Sequence, residues 1–558
     1  MITKRALSAG FGAGALAALL AEHASADTPF LNFAFPVTGG TARRTMPDRL
    51  VDIINVKDFG AVGNGTRDDT TAVQAAINAA ATKGTNRAGL SWNGATVYFP
   101  SGQYRITQQL TLPPGVSTCQ VNLVGSGKRA CVLLGEIDDY LIYSNSWNKW
   151  FGVIEGFKII NSKGIFMNLT FNLVIRDCEF ACAINALNLG GTSGDVYNTT
   201  VYNCTFNGGI DANGIQTPNS VGIYSAQAEF YNISVTHYDI GFAGWNVGIV
   251  IIGSRFEVNN TAIVLGKAPP GGTDQLAAFQ LSAISFERND TSIYIQNAYT
   301  GELNGLALTG TVCPYYGPNT AFADDIPIRS ITWNEGVATI TTTIPHLLGN
   351  YLSVVRGAGI TTFGGAVYNA SNPGYNANAV CTVTGPSTII YPLRANPGGT
   401  ATNGKIRVQP YVGLKVHSAG FVVMNGVNAS ANYSHCGIDL SDPNLNAWGL
   451  VFIGCNADKL YGAGGQNWKM PAAPTNCRID YIGCNNPGVV LTFAQLPGEP
   501  GVRLGAWEGA EFNISDGRKA NGGRAVMGDN VQGGGSQHLK VRYNGSSWTC
   551  MGVCPWSA

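Results

Sequence analysis

The sequence predicts an all-β protein whose main part is a β-solenoid, and three observations lead to this fold class. The 558 residues include 72 glycines, and charged residues make up only 12%, which is typical of many turns and strands. Short strand-like runs recur with a period in the twenties. These runs are rich in β-branched and aromatic residues and are separated by glycine turns. Coils of this kind bury their inward side chains against the next coil.

The repeats in the middle of the chain define the coils. The runs EGFKI, RDCEF, YNCTF, GSRFE and AISFE align on phenylalanines 23, 26, 50 and 30 residues apart, namely Phe157, Phe180, Phe206, Phe256 and Phe286. The gap of 50 contains one more coil, YNISV, at Val235. Because stacked coils lie about 4.8 Å apart, equivalent residues should form ladders. We expect such ladders for Asn203 with Asn232 and for Cys178 with Cys204. Later runs place Asn428, Asn456 and Asn485 at intervals of 28 and 29 residues.

The start of the solenoid carries a more specific pattern. The stretch VKDFGAVGNGTRDDTTAVQAAINAA at 56–80, followed by VYFPSGQYRITQQLTLPPGV from Val97, resembles the N-terminal signature of the pectate-lyase-like superfamily (pectin lyase fold). The resemblance is to the branch related to rhamnogalacturonases, epimerases and phage tailspikes, and its specific part covers about 50–135. It implies a right-handed parallel β-helix. It also implies a function on acidic or branched polysaccharides.

The opening stretch also predicts a helix. Val73, Ala76, Ile77 and Ala80 form an apolar stripe with helical spacing, so the chain from Thr70 to about residue 81 should be an amphipathic helix. Either of the preceding carboxylates, Asp68 or Asp69, would be its N-cap. The helix should cover the open end of the solenoid and hide its exposed strand edge. We therefore interpret this acidic pair as structural and not catalytic.

The remaining segments predict the domain organisation. A basic start, an apolar run and the small residues Ala24 to Ala26 are typical of a signal peptide, although the apolar N-terminus of a phage-type structural protein would look similar. Alternating runs rich in Thr, Val and Gly indicate an inserted β-sandwich-like module, and Asn544-Gly545 indicates a hairpin in a C-terminal β tail. The expected divisions are a signal peptide at 1–26, an extension at 27–49, β-helix at 50–329 and 411–497, the insertion at 330–410 and the tail at 498–558.

Charge and cysteine content limit the classes of partner. Lys+Arg and Asp+Glu both number 34, so nothing favours a nucleic acid or an anionic membrane as partner. Thirteen cysteines leave at least one thiol unpaired, with Cys550 and Cys554 as the expected bridge. The sequence predicts no metal site and no cofactor, and a secreted location after cleavage near Ala26. The oligomeric state stays open, a homotrimer included.

One internally repeated pair of carboxylates stands out as a catalytic candidate. SRFEVNNTAIVL and ISFERNDTSIYI place Glu257 and Glu287 at equivalent points one coil apart. Glycoside hydrolysis requires two carboxyl groups, and repulsion between stacked acids would favour one as a general acid. The alternative is a scaffold role, in which the shared Asn and Thr form a turn ladder. Arg255 and Arg288 flank the pair and would bind a uronate carboxylate or pair with the glutamates.

The preceding coil offers further candidates. Asp239 would supply an additional acid, and Trp245 a stacking platform for a sugar ring. His237 would contact the substrate or be a solvated or hydrogen-bonded turn residue. Asp211 and Asp274 lie in predicted loops that would approach a groove or simply face solvent.

Three classes of function follow from these residues. The first is a secreted polysaccharide-degrading glycoside hydrolase that uses the carboxylate pair. The second is a lyase or epimerase acting on uronic-acid glycans, and the third is a non-catalytic tailspike-like or adhesin-like glycan-binding protein. The chain lacks the Gly-His-Gly and Asn-Thr-Asp motifs of polygalacturonase-like enzymes, and Asp324-Asp325 stands without their usual neighbours.

Overall fold

The computed structural model consists mostly of strands. The residues that it describes are 53–82, 84–87, 90–93, 95–112, 119–194, 196–209, 216–287, 289–308, 326–343, 345–346, 362–369, 371–408, 412–429, 436–455, 466–469, 476–482, 490–491, 511–522, 524–544 and 546–553. Within these ranges there is one α-helix, Thr70–Thr82, and there are two 3₁₀ turns, Val56–Phe59 and Pro373–Tyr375. No helix in this part of the chain has the length and hydrophobicity needed to cross a membrane.

Within the described part of the chain, thirty-one strands form one continuous system of parallel pairings, with a single antiparallel pair at 84–93. Its strands are Ile53–Asn55, Asn64–Asp68, Gly84–Arg87, Leu90–Asn93, Thr96–Phe99, Gly102–Ile106, Leu110–Thr111, Cys119–Gln120, Asn122–Gly125, Cys131–Gly135, Tyr140–Glu155, Lys158–Arg176, Glu179–Leu189, Val196–Tyr197, Thr200–Tyr202, Thr205–Asn207, Val221–Tyr231, Ser234–Thr236, Ile240–Ile252, Arg255–Glu257, Thr261–Leu265, Leu276–Ser282, Ser285–Glu287, Thr291–Ile295, Ala298–Asn304, Val412–Val416, Ser418–Asn425, Cys436–Asp439, Asn446–Ile453, Gln466–Lys469 and Asn476–Ile482. The parallel coils confirm the predicted β-helix.

Each coil contributes to three faces, which the strand registers define. Face A contains 131–135, 158–161, 179–182, 205–207, 234–236, 255–257 and 285–287. Face B contains 140–145, 163–168, 185–189, 221–225, 240–244, 261–265, 291–295, 412–416 and 436–439. Face C contains 153–155, 173–176, 200–202, 227–231, 248–252, 276–282, 298–304, 418–425 and 446–453.

The predicted phenylalanine ladder lies inside face A. Phe180, Phe206, Val235, Phe256 and Phe286 are successive partners, and all are buried. The rings of Phe180 and Phe206 stack with centroids 4.8 Å apart, and those of Phe256 and Phe286 are 6.0 Å apart. The prediction for the first member was wrong. Ile159, and not Phe157, pairs with Phe180, so the equivalent position lies two residues later in the chain than the repeat suggested.

The turn from face C back to face A is another ladder. One residue per coil takes a left-handed backbone conformation there, with φ between +50° and +77°: Gly156, Asp177, Asn203, Asn232, Gly253, Ala283, Gly305, Gly426 and Gly454. Glycine and asparagine adopt this conformation at the lowest cost, which explains why they recur. Asn232 Nδ2 donates to Asn203 Oδ1 at 3.3 Å, and Asn203 Nδ2 donates to Asp177, so the predicted asparagine ladder is confirmed. Asn456 and Asn485 lie outside the described residues.

The N-terminal helix has the predicted bounds, and Val73, Ala76, Ile77 and Ala80 are buried in the same core as the first strands. The two preceding acids hold different parts of the backbone. Asp68 Oδ1 accepts the N–H of Thr70 at 3.0 Å, where the helix begins. The side chain of Asp69 instead accepts the N–H groups of Val62 and Gly63 in the glycine-rich turn, at 2.7 and 2.9 Å.

The insertion is a closed barrel, where the sequence had suggested a small sandwich. Six antiparallel strands form it: Ile326–Asn334, Val337–Thr342, Thr362–Tyr368, Ala377–Gly385, Thr388–Pro392 and Ala401–Val408. It has its own core, which includes Ile331, Ile340 and Tyr391. The alternation of apolar and polar residues predicts one buried face per strand, and this holds for a sandwich as well as for a barrel. Closure depends on the pairing of the first strand with the last, at Ile326 with Ile406, which alternation does not specify.

The C-terminal tail is a four-stranded sheet formed by Val490–Leu491, Glu511–Lys519, Val531–Tyr543 and Trp548–Val553. The last two strands pair as the predicted hairpin, and Asn544 Oδ1 between them accepts the N–H groups of Ser546 and Ser547. Cys554 lies outside the described residues, so the bridge to Cys550 stays a prediction.

Candidate functional site

Glu257 and Glu287 are direct register partners on adjacent strands of face A. Phe256 between Arg255 and Glu257 points into the core, so these two charged side chains point outward. Glu257 Oε1 lies 3.2 Å from Arg255 Nε, which pairs the glutamate with the arginine of its own strand. Glu287 is exposed. The predicted placement of the two glutamates at equivalent points one coil apart is therefore confirmed, whereas their catalytic role stays a prediction. Arg288 lies outside the described residues.

Asp239 connects three successive coils. Its Oδ2 accepts the backbone N–H of Asn219 at 3.1 Å, and its Oδ1 accepts Asn260 Nδ2 at 2.9 Å. Its own N–H is donated to Ser220 Oγ. Both carboxylate oxygens thus hold the scaffold. His237, two residues earlier, has a left-handed backbone with φ of +64° and a half-buried side chain.

The structure contradicts the prediction that Trp245 stacks on a sugar ring. The side chain points outward from face B, but it is only 3% exposed. It packs with Ala226 and with Ala268 of the loop that follows 261–265, and this loop covers it. A ring without an accessible face cannot receive a sugar. The error arose because the sequence places an aromatic residue on the outer side of a strand but does not show which loop folds over it.

Asp274 holds that covering loop in place. Its Oδ1 accepts the N–H of Ala268 at 2.9 Å, and its Oδ2 lies 2.9 Å from Gln296 Nε2 and 3.4 Å from Lys267 Nζ. Burial, and then the charges of Asp274 and Asp239, raise the pKa of Tyr224 to about 12, so this phenol stays protonated at neutral pH. Asp211 and Asp324-Asp325 lie outside the described residues.

The outer surface of face B carries one residue per coil in a continuous row, which we call the face B row. Its members are Tyr143, Phe166, Asn188, Tyr224, Ala243, Val264, Tyr294, Lys415 and Asp439. At one end the rings of Tyr143 and Phe166 stack with centroids 4.8 Å apart. The row thus has aromatic and amide side chains at one end, from Tyr143 to Asn188, and ionisable side chains at the other, from Tyr294 to Asp439.

The ionisable end contains a group that the sequence analysis missed. Lys415 and His417 both point outward, because Leu414 and Val416 alternate with them and are buried. His417 Nδ1 lies 2.8 Å from Asp442 Oδ2, and the histidine side chain is 38% exposed. Lys415 Nζ lies 5.4 Å from the centre of the Tyr294 ring. We call Tyr294, Lys415, His417 and Asp442 the basic cluster.

The basic cluster is electrostatically coupled. Burial alone would raise the pKa of Asp442, but the N–H of Asn444, the His417 ring and Lys415 together hold it below its usual value. The carboxylate is therefore ionised at neutral pH and fixes the orientation of the imidazole. Burial, and then the charge of Asp442, raise the pKa of Tyr294, which keeps this phenol protonated. The cluster combines a carboxylate-oriented imidazole, an ammonium group and a protonated phenol.

The insertion explains why the sequence did not show this cluster. Tyr294 and Lys415 are register partners on adjacent coils, but the whole barrel lies between them in the chain. The one available signal was the run LKVH at 414–417, which alternates apolar and polar residues. Among the described residues, no group of three or more His, Cys, Asp or Glu side chains could hold a metal ion.

Comparisons with known proteins find a matching family model, sequence relatives over short segments and similar solved structures. Residues 53–270 match the family model described as Rhamnogalacturonase A/epimerase, pectate lyase-like. The chain is 43% identical to mannuronan C5-epimerase AlgE2 of Azotobacter vinelandii over 81 residues, which are 14% of this chain and 7% of the epimerase. It is 44% identical over 81 residues to alginate lyase 7 of the same organism, covering 14% and 8% of the two chains.

Among solved structures, the A-module of the Azotobacter vinelandii mannuronan C-5 epimerase AlgE4 aligns with 81% of this chain and 100% of the module, with 13% sequence identity and a TM-score of 0.41. The matched sequence segments span less than a tenth of either curated relative. Residues 53–270 thus carry the match to a pectate-lyase-like family model, and the stacked parallel coils of the structure are those of a β-helix.

Proposed function

We propose that this protein is an exported enzyme that acts on a uronic-acid polysaccharide by removing the C5 proton of a sugar unit, as a lyase or an epimerase does. The observation that carries this proposal is the basic cluster, in which His417 is hydrogen-bonded to Asp442 beside Lys415 and Tyr294. The names of the curated relatives, mannuronan C5-epimerases and an alginate lyase, support the same substrate class.

The chemistry requires a base, an electrophilic group and an acid. The C5 proton of a uronate is acidic only when the negative charge that develops on its carboxyl group is stabilised. Lys415 would bind that carboxylate, and the outer nitrogen of His417 would accept the proton. Asp442 would hold the imidazole and stabilise the imidazolium that forms, as the carboxylate does in other His–Asp pairs.

Tyr294 would complete the reaction as a proton donor. Its raised pKa keeps the hydroxyl proton in place until a stronger base develops beside it. In a lyase, the tyrosine proton passes to the departing glycosidic oxygen as the bond between C4 and that oxygen breaks. The product then has a double bond between C4 and C5. In an epimerase, a proton returns to C5 from the opposite side and the chain stays intact.

Glycoside hydrolysis by Glu257 and Glu287 is the second candidate. The observation in its favour is their direct pairing on adjacent strands, which sets a spacing of about 4.8 Å between their backbones. This is close to the carboxylate separation of a retaining glycosidase. The ion pair of Glu257 with Arg255 weakens the case, because it ties one of the two carboxylates to a neighbouring cation.

A substrate screen with three readouts tests the proposal. The full chain is incubated with polymannuronate, polygalacturonate and a neutral glucan in deuterated buffer. A lyase produces absorbance of unsaturated uronates, an epimerase incorporates deuterium at C5 without cleavage, and a hydrolase produces reducing ends alone. Reducing ends alone would overturn the proposal in favour of the glutamate pair, and binding with no reaction would favour a non-catalytic protein. Sequencing of the mature N-terminus tests export, with Asp27 expected first.

A further inference from the structure

Face C carries an exposed aromatic surface that the proposed reaction does not use. Tyr299, Phe421 and Trp448 are 52%, 54% and 77% exposed. They lie on the three adjacent strands Ala298–Asn304, Ser418–Asn425 and Asn446–Ile453. Large aromatic side chains are rarely left in water at neighbouring positions without a binding role.

A glycine of the neighbouring coil makes room for the Phe421 ring. Phe421 and Gly449 are register partners, and the Phe421 ring lies 2.9 Å from the point where a Cβ on Gly449 would stand. A larger residue at Gly449 would displace this ring. The ring of Phe421 therefore packs over the backbone of the next coil.

The aromatic surface continues into a pocket on the same face. The row Gly248, Ala278, Thr300, Phe421 and Gly449 runs across five coils. At its first end a pocket of about 310 Å³ is lined by residues that include Gly248, Ile249, Ala278 and Phe279. Small residues therefore form a shallow path along the solenoid axis, and it leads from the pocket to the exposed rings. Four coil steps of about 4.8 Å give a path of roughly 19 Å.

The polar groups beside this path define the charge of its ligand. The parallel row next to it contains Glu229, Gln280 and Glu302, and no Lys or Arg among the described members of either row. Carboxylate and amide oxygens accept hydrogen bonds from hydroxyl groups. The same carboxylates would repel a polyanion.

We propose that this surface of face C, which we call the aromatic path, binds an uncharged glycan chain as a second, non-catalytic site. Hexose rings would place their C–H faces on Tyr299, Phe421 and Trp448, and their hydroxyl groups would donate to Gln280 and Glu302. The site differs from the basic cluster in the charge of its ligand. The aromatic path would retain the protein on a neutral glycan matrix while the basic cluster on face B binds its substrate. This second site does not depend on the proposed reaction.

Affinity electrophoresis of the full chain tests this site. The gels contain galactomannan, hydroxyethylcellulose, amylose or, as the acidic probe, polymannuronate. At least one neutral glycan should retard the protein. Phe421→Ala and Trp448→Ala should each weaken that retardation about tenfold or more, while Trp448→Phe keeps most of it. Phe59→Ala is the matched control, because it removes a 39% exposed aromatic ring from the 3₁₀ turn near the N-terminal end of the solenoid.

Three outcomes would overturn the site. The first is that no neutral glycan retards the protein. The second is that the wild type and the two alanine variants are retarded equally. The third is that light scattering shows a changed oligomeric mass in those variants. The last would show that a second copy of the chain covers the rings. His417→Gln should bind neutral glycan as the wild type does, so that failure of the proposed reaction and failure of this site are distinguishable.

Discussion

Arg407 Nη1 lies 3.0 Å from Asp290 Oδ2, and this ion pair joins the inserted barrel to the β-helix. Arg407 belongs to the last barrel strand, whereas Asp290 precedes the face B strand Thr291–Ile295. The carbonyl oxygen of Asp290 also accepts the N–H of Val412, where the chain returns to face B. One residue therefore anchors both the barrel and the strand that carries Lys415.

Because both side chains are largely buried, breaking this pair should be costly. Arg407→Met leaves the Asp290 carboxylate without its cation, and we expect a loss of about 3 kcal/mol in the free energy of unfolding, measured by denaturant titration. Limited proteolysis between the barrel and the β-helix should also become faster. Arg329→Met removes an exposed arginine from the same barrel and serves as the control. Equal behaviour of the two variants would show that the ion pair does not hold the barrel.

The two acids of the glycine-rich turn should differ in their effect on stability. Asp69 is 1% exposed and accepts two backbone N–H groups, so Asp69→Ala should cost about 3 kcal/mol in the free energy of unfolding. Asp68 is exposed and holds Thr70, so Asp68→Ala should cost about 1 kcal/mol. Chemical denaturation of both variants measures this difference. The opposite order would contradict the assignment of Asp69 to the turn.

The pKa of Asp68 gives its contribution a pH dependence. Hydrogen bonds from the Thr70 and Thr107 hydroxyls lower this pKa in the folded state. The unfolded carboxyl therefore binds a proton more readily, so the contribution is present above the unfolded pKa and is lost as pH falls through the folded pKa. In Asp68→Ala, stability should fall less steeply in that acidic range than in the wild type.

The proposed base predicts a loss of rate. With an active uronate polymer, His417→Gln should reduce kcat by about two orders of magnitude or more, with little change in KM or melting temperature. Asp442→Asn should also reduce kcat, because the imidazole loses the carboxylate that orients it and stabilises the imidazolium. Steady-state rates and thermal melts of both variants check this, and a wild-type kcat in His417→Gln would exclude His417 as the base.

Glu257→Gln and Glu287→Gln distinguish the two candidate reactions. If the basic cluster performs the reaction, both variants should keep kcat within about twofold of the wild type, since they lie on face A. If the glutamates hydrolyse a glycosidic bond, each variant should lose about two orders of magnitude in kcat and the product should keep its anomeric configuration. Steady-state rates on the same substrate separate these outcomes.

The sequence predicted the scaffold well because β-helix coils repeat their pattern. The phenylalanines of face A and the asparagines of the turn recur at coil intervals, and each repeat identifies a ladder without knowledge of distant contacts. The exception at Phe157 shows the limit, since the repeat sets the coil length but not the local register.

The candidate site was much less predictable from the sequence. Trp245 shows that the outer side of a strand is not necessarily exposed, because the loop containing Ala268 covers it. The basic cluster brings Tyr294 next to Lys415 only through the strand pairing that resumes after the inserted barrel. Such contacts depend on loop paths and on register across an insertion, and neither leaves a periodic signal in the sequence.

The left-handed turn ladder predicts a variant more stable than the wild type. Ala283 occupies this ladder with φ of +53°, where a Cβ costs about 1 kcal/mol, while the equivalent position one coil earlier is Gly253 with φ of +63°. Ala283→Asn should therefore raise the free energy of unfolding by up to about 1 kcal/mol, since asparagine tolerates this conformation better than alanine. The reciprocal change, Gly253→Ala, should lower it by about the same amount. No atom lies within 4 Å of the added methyl group, so backbone strain is its only expected cost. Denaturant titration of both variants checks the pair, and effects of the same sign would show that turn conformation does not limit the stability of these coils.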